Sequence, residues 1–162
     1  MNNRSMVKKL YGTLLISSLL LSCNNDRVYE EYHGLENLSW PIADTVTFDI
    51  ETKYDHDDVI STLRVKYNKD YDYYNLYVRY LVRDSLGQIR NNELLNLNLF
   101  DPKTGKPLGS GYGNSFTQMD TLPLSKVKDG EKITIQFVQY MRSNDLDGIE
   151  AVGIKLKRGV DD

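Results

Sequence analysis

Apolar and polar residues alternate with a period of two along most of the chain after residue 40. This period is typical of half-buried β-strands, because successive side chains of a strand point to opposite faces of its sheet. The alternating apolar positions fall in six segments: Val46, Phe48 and Ile50; Leu63, Val65 and Tyr67; Leu76, Val78, Tyr80 and Val82; Leu95, Leu97 and Leu99; Ile133, Ile135 and Phe137; Val152, Ile154 and Leu156. No segment shows the apolar stripe of an amphipathic helix, so the pattern predicts an all-β fold, an antiparallel β-sandwich of the jelly-roll type.

Turn-forming residues separate the predicted strands. Residues 85–87 interrupt the pattern after Val82, and residues 101–105 combine an aspartate, a proline and a glycine after a strand expected over residues 94–100. Glycines at alternate positions of residues 109–113 favour a kinked strand that packs closely under its neighbour, although an irregular loop stays open. Short strands separated by turns are what a sandwich requires.

The region before the alternating pattern is polar. Residues 24–36 are either a tether or a first strand, and we expect a tether that leads into a short edge strand starting near Arg27. Trp40, the only tryptophan, precedes Pro41 and is expected to fill one end of the core.

The N-terminus has the layout of a bacterial lipoprotein signal. Arg4, Lys8 and Lys9 precede an apolar run over residues 10–21, and the only cysteine, Cys23, follows directly after Ser22. The run is shorter than the roughly 20 apolar residues of a transmembrane helix. We therefore expect cleavage before Cys23 and attachment of acyl chains such as palmitate at this residue, which gives stable membrane attachment when two or more chains are present.

This leader divides the chain into three parts. We expect a cleaved signal peptide over residues 1–22, a lipidated tether over 23–36 that includes a first edge strand or precedes it, and a single β-sandwich domain over 37–162. The chain has 20 Lys and Arg against 23 Asp and Glu, a formal net charge of −3, and loss of the three leader cations changes this to −6. Such an acidic body lacks the basic stripe that nucleic-acid binding requires, so membrane contact should rest on the lipid.

Residue types with catalytic potential are few. The only histidines, His33 and His56, lie in no recognisable nucleophile motif, and Gly-x-Ser-x-Gly is absent. Residues 109–113 lack the Lys of a phosphate-binding loop. We therefore expect no enzyme activity and no cofactor, and the sequence does not favour a small-molecule ligand. A hydrolase would require a pocket that joins a histidine to carboxylates.

The strongest metal candidate is the string Asp55, His56, Asp57 and Asp58. The string lacks the ligand spacing and the distal Glu of a calcium loop, so a solvated turn between two strands is favoured. A structural calcium ion near Asp55, Asp57 and Asp58 stays open as the alternative.

Tyrosine is unusually frequent, with 12 in the chain. Because tyrosine is amphipathic, an exposed row can bind protein or sugar. The candidate interaction surface consists of Tyr71, Tyr73, Tyr74, Tyr77, Gly109, Gly111 and Tyr112. The alternative, that tyrosine replaces phenylalanine in a thin core, stays open.

Several strings together resemble the GldH family of gliding-motility lipoproteins of the Bacteroidota. The strings are residues 28–32 after Cys23, 44–48 after Trp40, 71–78, the Gly-rich 101–113, 139–142 and 148–154, and the similarity extends over nearly all of the chain after the leader. The resemblance implies a membrane-anchored accessory component of the gliding machinery, linked to type IX secretion and without enzyme activity. Cys23 is the only functional residue that it transfers, and other cell-envelope proteins are the implied partners.

An alternative function is a carbohydrate-binding or other ligand-binding envelope lipoprotein with a jelly-roll domain. For localisation, Asn24 stands where enteric bacteria place the aspartate that retains lipoproteins in the inner membrane, which favours the outer membrane. Residues 24–27 lack an acidic run typical of surface export in this phylum, so we expect the protein to face the periplasm.

Overall fold

The computed structural model describes residues 26–53, 59–124 and 126–159, and in these ranges the fold is almost entirely β. The strands are β1 (Arg27–Gly34), β2 (Ser39–Pro41), β3 (Thr45–Glu51), β4 (Val59–Asn68), β5 (Asn75–Arg83), β6 (Ile89–Asn98), β7 (Ser110–Tyr112), β8 (Ser115–Thr121), β9 (Lys132–Gln139), β10 (Asp145–Asp147) and β11 (Ile149–Arg158). A 3₁₀ turn, Glu36–Leu38, joins β1 to β2. The expected signal peptide, the lipidation site Cys23 and the string Asp55, His56, Asp57 and Asp58 lie outside the described residues.

Two antiparallel sheets pack face to face. The first sheet has the strand order β1-β11-β4-β8-β7, and the second has the order β3-β9-β5-β6. The short pair β10-β2 lies at one end of the sandwich. The predicted all-β antiparallel sandwich is confirmed.

The alternating pattern of the sequence is the burial pattern of the strands. In β3, Val46, Phe48 and Ile50 are buried while the residues between them are exposed. The other predicted inward positions are likewise buried, except Leu95, which is half-buried at the margin of the core. Apolar burial of this kind supplies most of the folding free energy.

Strand β6 begins five residues earlier than the strand predicted over residues 94–100. A tight turn sets this start: the Asp84 carboxylate accepts N–H bonds from Leu86 and Gln88, both at 2.9 Å, and Gly87 has φ = +77°. Pairing with β5 then carries residues 89–93, of which only Ile89 is apolar, into the sheet. Their side chains are largely exposed, so they show no alternating pattern for sequence analysis to detect.

The polar segment before Trp40 contains the edge strand expected near Arg27. β1 pairs with β11 along Arg27–Gly34 and forms one edge of the first sheet. Trp40 is fully buried, and its indole N–H donates to the Asp44 carbonyl at 3.0 Å. It fills the end of the core as expected.

The alternate glycines allow β7 to approach β8 closely. A Cβ added at Gly111 would lie 2.1 Å from the Ser115 carbonyl oxygen, and one added at Gly109 would lie 2.6 Å from that of Thr117. Gly113 has φ = +67° in the turn between the two strands. This is the close backbone packing that the sequence favoured over an irregular loop.

Candidate functional site

The sandwich has two ends with different surfaces. One end contains the start of β1, the start of β4 and the end of β11, and we call it the N-terminal end. These three meet there because the Arg158 N–H donates to the Asp26 carbonyl at 2.8 Å and Val59 pairs with Arg158. The opposite end contains the close of β4, the start of β5 and the β7–β8 turn, and we call it the aromatic end. The ten residues of β4 (Val59–Asn68) separate the two by about 30 Å.

Half-exposed aromatic and apolar side chains gather at the aromatic end. Tyr77 and Tyr140 are 38% and 56% exposed, and Leu94 is 53% exposed. The aromatic patch, defined as Tyr73, Tyr77, Leu94, Tyr140, Met141 and Arg142, lines a cleft of about 460 Å³. Tyr77 and Leu94 lie on the outer face of the second sheet, and Met141 also packs against the margin of the core.

Strand pairing holds the patch in a defined geometry. β5 lies between β6 and β9, which brings Tyr77 beside residues about 60 positions later in the chain. The Tyr140 N–H donates to the Tyr77 carbonyl at 2.8 Å, and the Tyr77 N–H lies 3.3 Å from the Met141 sulfur. Tyr77 and Leu94 therefore lie in paired strands, and these two contacts tie Tyr140 and Met141, which follow the end of β9, to β5.

Arg79 adds a cation beside the aromatic rings. Its guanidinium carbon lies 5.6 Å from the centre of the Tyr140 ring, a cation–π distance. Its Nε also donates to the Asn92 side-chain oxygen at 2.9 Å. The patch thus combines aromatic faces with a fixed positive charge.

The structure separates the tyrosines that the sequence grouped together. Tyr71 is buried, and its hydroxyl donates to the Asn75 carbonyl at 2.9 Å. Burial raises the pKa of the Tyr71 hydroxyl. Its ring packs edge-on against Tyr73, with 5.7 Å between ring centres. Tyr71 therefore supports the patch from the core and does not lie on its surface.

The remaining members of the predicted surface lie in different places. Tyr74 is exposed near the loop of residues 100–105, and its carbonyl accepts N–H bonds from Leu99 and Phe100. Tyr112 is almost fully exposed in β7. Gly109 and Gly111 serve backbone packing, and the Gly109 N–H donates to the Tyr67 hydroxyl at 3.0 Å. Of the predicted surface, Tyr73 and Tyr77 alone belong to the aromatic patch.

Sequence reasoning missed Leu94, Tyr140, Met141 and Arg142 as a site. One signal was available in the alternation of β9. Ile133, Ile135 and Phe137 point inward, so the same period of two directs Tyr140 outward. The meeting of Tyr140 with Tyr77 depends on the pairing of β5 with β9. A single sequence does not contain that pairing.

A second cleft, near Trp40, brings a histidine, a serine and carboxylates together. It measures about 780 Å³, and its lining includes His33, Ser39, Asp44, Asp145 and Asp147. No hydrogen bond joins His33 to Ser39 or to these carboxylates. Within residues 26–53, 59–124 and 126–159 no three acidic, histidine or cysteine side chains gather closely enough to hold a metal ion.

In the described part of the chain, no helix has the length and apolarity needed to cross a bilayer.

Comparison with known proteins identifies one matching family. The model of the GldH lipoprotein family matches residues 27–156, which is most of the chain. No curated protein matches the sequence.

Solved structures resemble the sandwich only distantly. Eiger TNF from S. frugiperda has 9% identity and a TM-score of 0.39, with 84% of this chain and 95% of that chain covered. A CocE/NonD family hydrolase from Staphylococcus aureus has 12% identity and a TM-score of 0.39, with 83% and 32% covered. A carbohydrate-binding module specific for non-crystalline cellulose has 9% identity and a TM-score of 0.38, with 85% and 77% covered. At these values the similarities carry no argument about function.

Proposed function

Because the chain belongs to the GldH lipoprotein family, we propose that it is a non-catalytic accessory component of the gliding-motility machinery that binds another protein of the cell envelope. Membership of this family indicates a lipid-anchored protein of the envelope that is associated with gliding motility. The proposal adds a link to type IX secretion and a mode of action, which is presentation of the aromatic patch to a partner.

The separation of the two ends is the observation that carries this proposal. Cys23 is three residues before Asp26, so their Cα atoms lie within about 11 Å of one another, whatever path the chain takes. A lipid on Cys23 would hold the N-terminal end close to the bilayer. The aromatic patch lies in the half of the second sheet away from the N-terminal end, from Tyr77 near the start of β5 to Leu94 opposite Arg79 at its middle, where it can meet a partner beyond the headgroups.

The chemistry of the patch suits a protein partner. Tyrosine supplies a large contact area with few rotatable bonds, and aromatic residues and arginine dominate the binding energy of protein interfaces. The patch offers three tyrosines with Leu94 and Met141, and Arg79 and Arg142 lie beside them.

We place the protein at the outer membrane with the sandwich facing the periplasm.

The test is co-purification of the lipidated protein from its own cell envelope. We expect Tyr77→Ala/Tyr140→Ala to lose the co-purifying envelope protein and to impair gliding or type IX secretion in complemented deletion cells. Leu86→Ala is the matched control, because Leu86 is 81% exposed at the N-terminal end. Equal recovery of partners by both variants would contradict the proposal.

Carbohydrate binding is the second candidate, and the polar groups beside the tyrosines favour it. Asn96 pairs with Tyr77 and Asn92 contacts Arg79, so amide groups lie next to aromatic faces. A specific glycan-array signal that disappears in Tyr77→Ala/Tyr140→Ala, together with no co-purifying protein, would replace the protein-binding proposal with this one.

A further inference from the structure

Strand β6 forms a free edge of the second sheet. Within the described chain its backbone hydrogen-bonds only to β5. In an antiparallel strand every second residue directs its N–H and C=O away from the neighbouring strand. The outer side of β6 therefore carries a row of backbone donors and acceptors without protein partners among the described residues.

Over residues 94–98 this edge lacks the features that normally protect a sheet edge. Natural edges are shortened, or carry lysine, proline, inward charges or bulges. β7 has three residues, and the edge strand β3 carries Asp49 and Glu51. β6 has ten residues, and its stretch 91–98 has Glu93 as its only charged residue and contains no lysine, proline or glycine. Its one irregularity is a bulge at the start, opposite Val82 and Arg83.

The first sheet does not cover the early part of β6. Glu93 pairs with Tyr80, whose side chain is in the core, so the Glu93 side chain lies on the inner face. It is nevertheless exposed, as are most residues of 89–94 on both faces. β6 of the second sheet packs against β8 of the first sheet. β7 lies next to β8 at the edge of the first sheet, and among the described residues no strand of the second sheet lies beyond β6 to face it. The position beside β6 therefore has room for a fifth strand.

We propose that β6 accepts an extended segment of the partner protein as an added strand of the second sheet. This inference rests on the proposed function and specifies how the partner is bound: backbone hydrogen bonds supply affinity, and side chains at alternate positions supply specificity.

The outer face beside β6 indicates the chemistry of the added segment. Leu94 pairs with Arg79 on this face, and Asn96 pairs with Tyr77, so the segment would run along the aromatic patch. Arg79 and Arg142 form no ion pair within the described chain. The segment should therefore carry apolar side chains at alternate positions and at least one aspartate or glutamate near Leu94.

The test is a crosslinking ladder along β6 in living cells. A photo-crosslinking amino acid is placed at Asn92, Leu94 or Asn96 of the full-length lipidated chain, and the crosslinked residue of the partner is mapped by mass spectrometry. We expect one short partner segment, in which each two-residue step along β6 moves the crosslink by two residues in a constant direction. Scattered crosslinks, crosslinks to a second copy of this chain, or none at all would overturn the inference.

A variant that places a charge on the β6 edge is the second part of the test. Asn96→Lys should abolish the ladder, because an edge lysine disfavours strand addition. Asn96→Ala loses the same hydrogen bond to Asn75 without adding charge and should keep the ladder. Thr47→Lys adds the same charge on β3, the other edge strand of this sheet, and should keep it too. If Asn96→Lys retains the ladder, strand addition is wrong. Loss of partner in Tyr77→Ala/Tyr140→Ala would still support the proposed function.

Discussion

The two ends of the sandwich share the same strands but present different chemistry. At the N-terminal end, Arg27, Lys157 and Arg158 lie beside one another on paired strands, and Leu86 and Ile89 are exposed apolar side chains without an aromatic neighbour in the patch. Near the aromatic end, Tyr77 and Tyr140 are half-exposed on the outer face of the second sheet. Since β4, β5, β9 and β11 run through both ends, folding alone does not require this difference. In the proposed function, the aromatic end is the contact surface and the N-terminal end is not.

The largest loss of unfolding free energy is expected where the core meets the aromatic patch, at Tyr71. Tyr71→Ala should lower the free energy of unfolding by about 3–5 kcal/mol, because it empties a buried aromatic site. Tyr73→Ala, at the neighbouring ring, should cost less than about 1 kcal/mol because that side chain is 42% exposed. Denaturant unfolding of the two variants checks this. Equal losses would remove the distinction between a supporting tyrosine and a surface tyrosine.

A smaller loss is expected from Tyr67→Phe. The Tyr67 hydroxyl donates to the Leu99 carbonyl and accepts the Gly109 N–H, so it ties β4 to the segment before β7. Removing it leaves buried backbone groups without partners, and the variant should lose about 1–3 kcal/mol of unfolding free energy. Tyr74→Phe is the control, since its exposed hydroxyl should contribute almost nothing. Similar stability of the two variants would contradict the role given to Tyr67.

Glu150 should stabilise the aromatic end in a pH-dependent way. Burial alone would raise the pKa of its carboxyl, but hydrogen bonds from Ser115, Lys66 and Asn68 outweigh burial and hold the pKa below the ordinary 4.5. The contribution is therefore complete above about pH 4.5 and is lost as the pH falls through the native pKa. Glu150→Gln should cost about 1–2 kcal/mol at pH 7.

Unfolding curves of wild type and Glu150→Gln between pH 7 and pH 3 provide the measurement. The two proteins should converge in stability at the acidic limit. A difference that stays constant over this range would show that the carboxylate charge is not what stabilises this region.

The smallest effect is expected at the N-terminal end. Lys157 forms no ion pair within the described chain, so Lys157→Gln should change unfolding free energy by less than about 0.5 kcal/mol. It should also leave partner co-purification unchanged. If Lys157→Gln lost the partner, the contact surface would lie at the N-terminal end, and the role given to the aromatic end would be wrong.

Sequence patterning predicted the fold well and the site only in part. Alternation in β3 and β9 identified their inward residues, because burial on one face of a strand leaves a period of two. It failed at the start of β6, where both faces are exposed and pairing with β5 alone decides the structure. Tyr71 and Tyr77 look alike in the sequence, and only the packing of the sandwich shows that one is buried and the other is not.

The opposition of the two ends can be measured directly. In the protein lipidated at Cys23, an introduced cysteine is the only free thiol, so a donor dye can be placed at Leu86→Cys or at Tyr112→Cys. These side chains are 81% and 96% exposed, at the N-terminal end and the aromatic end respectively. Energy transfer to acceptor-labelled headgroups in vesicles should be strong from residue 86 and much weaker from residue 112, since the ends lie about 30 Å apart. Equal transfer from both positions, or stronger transfer from residue 112, would contradict the account.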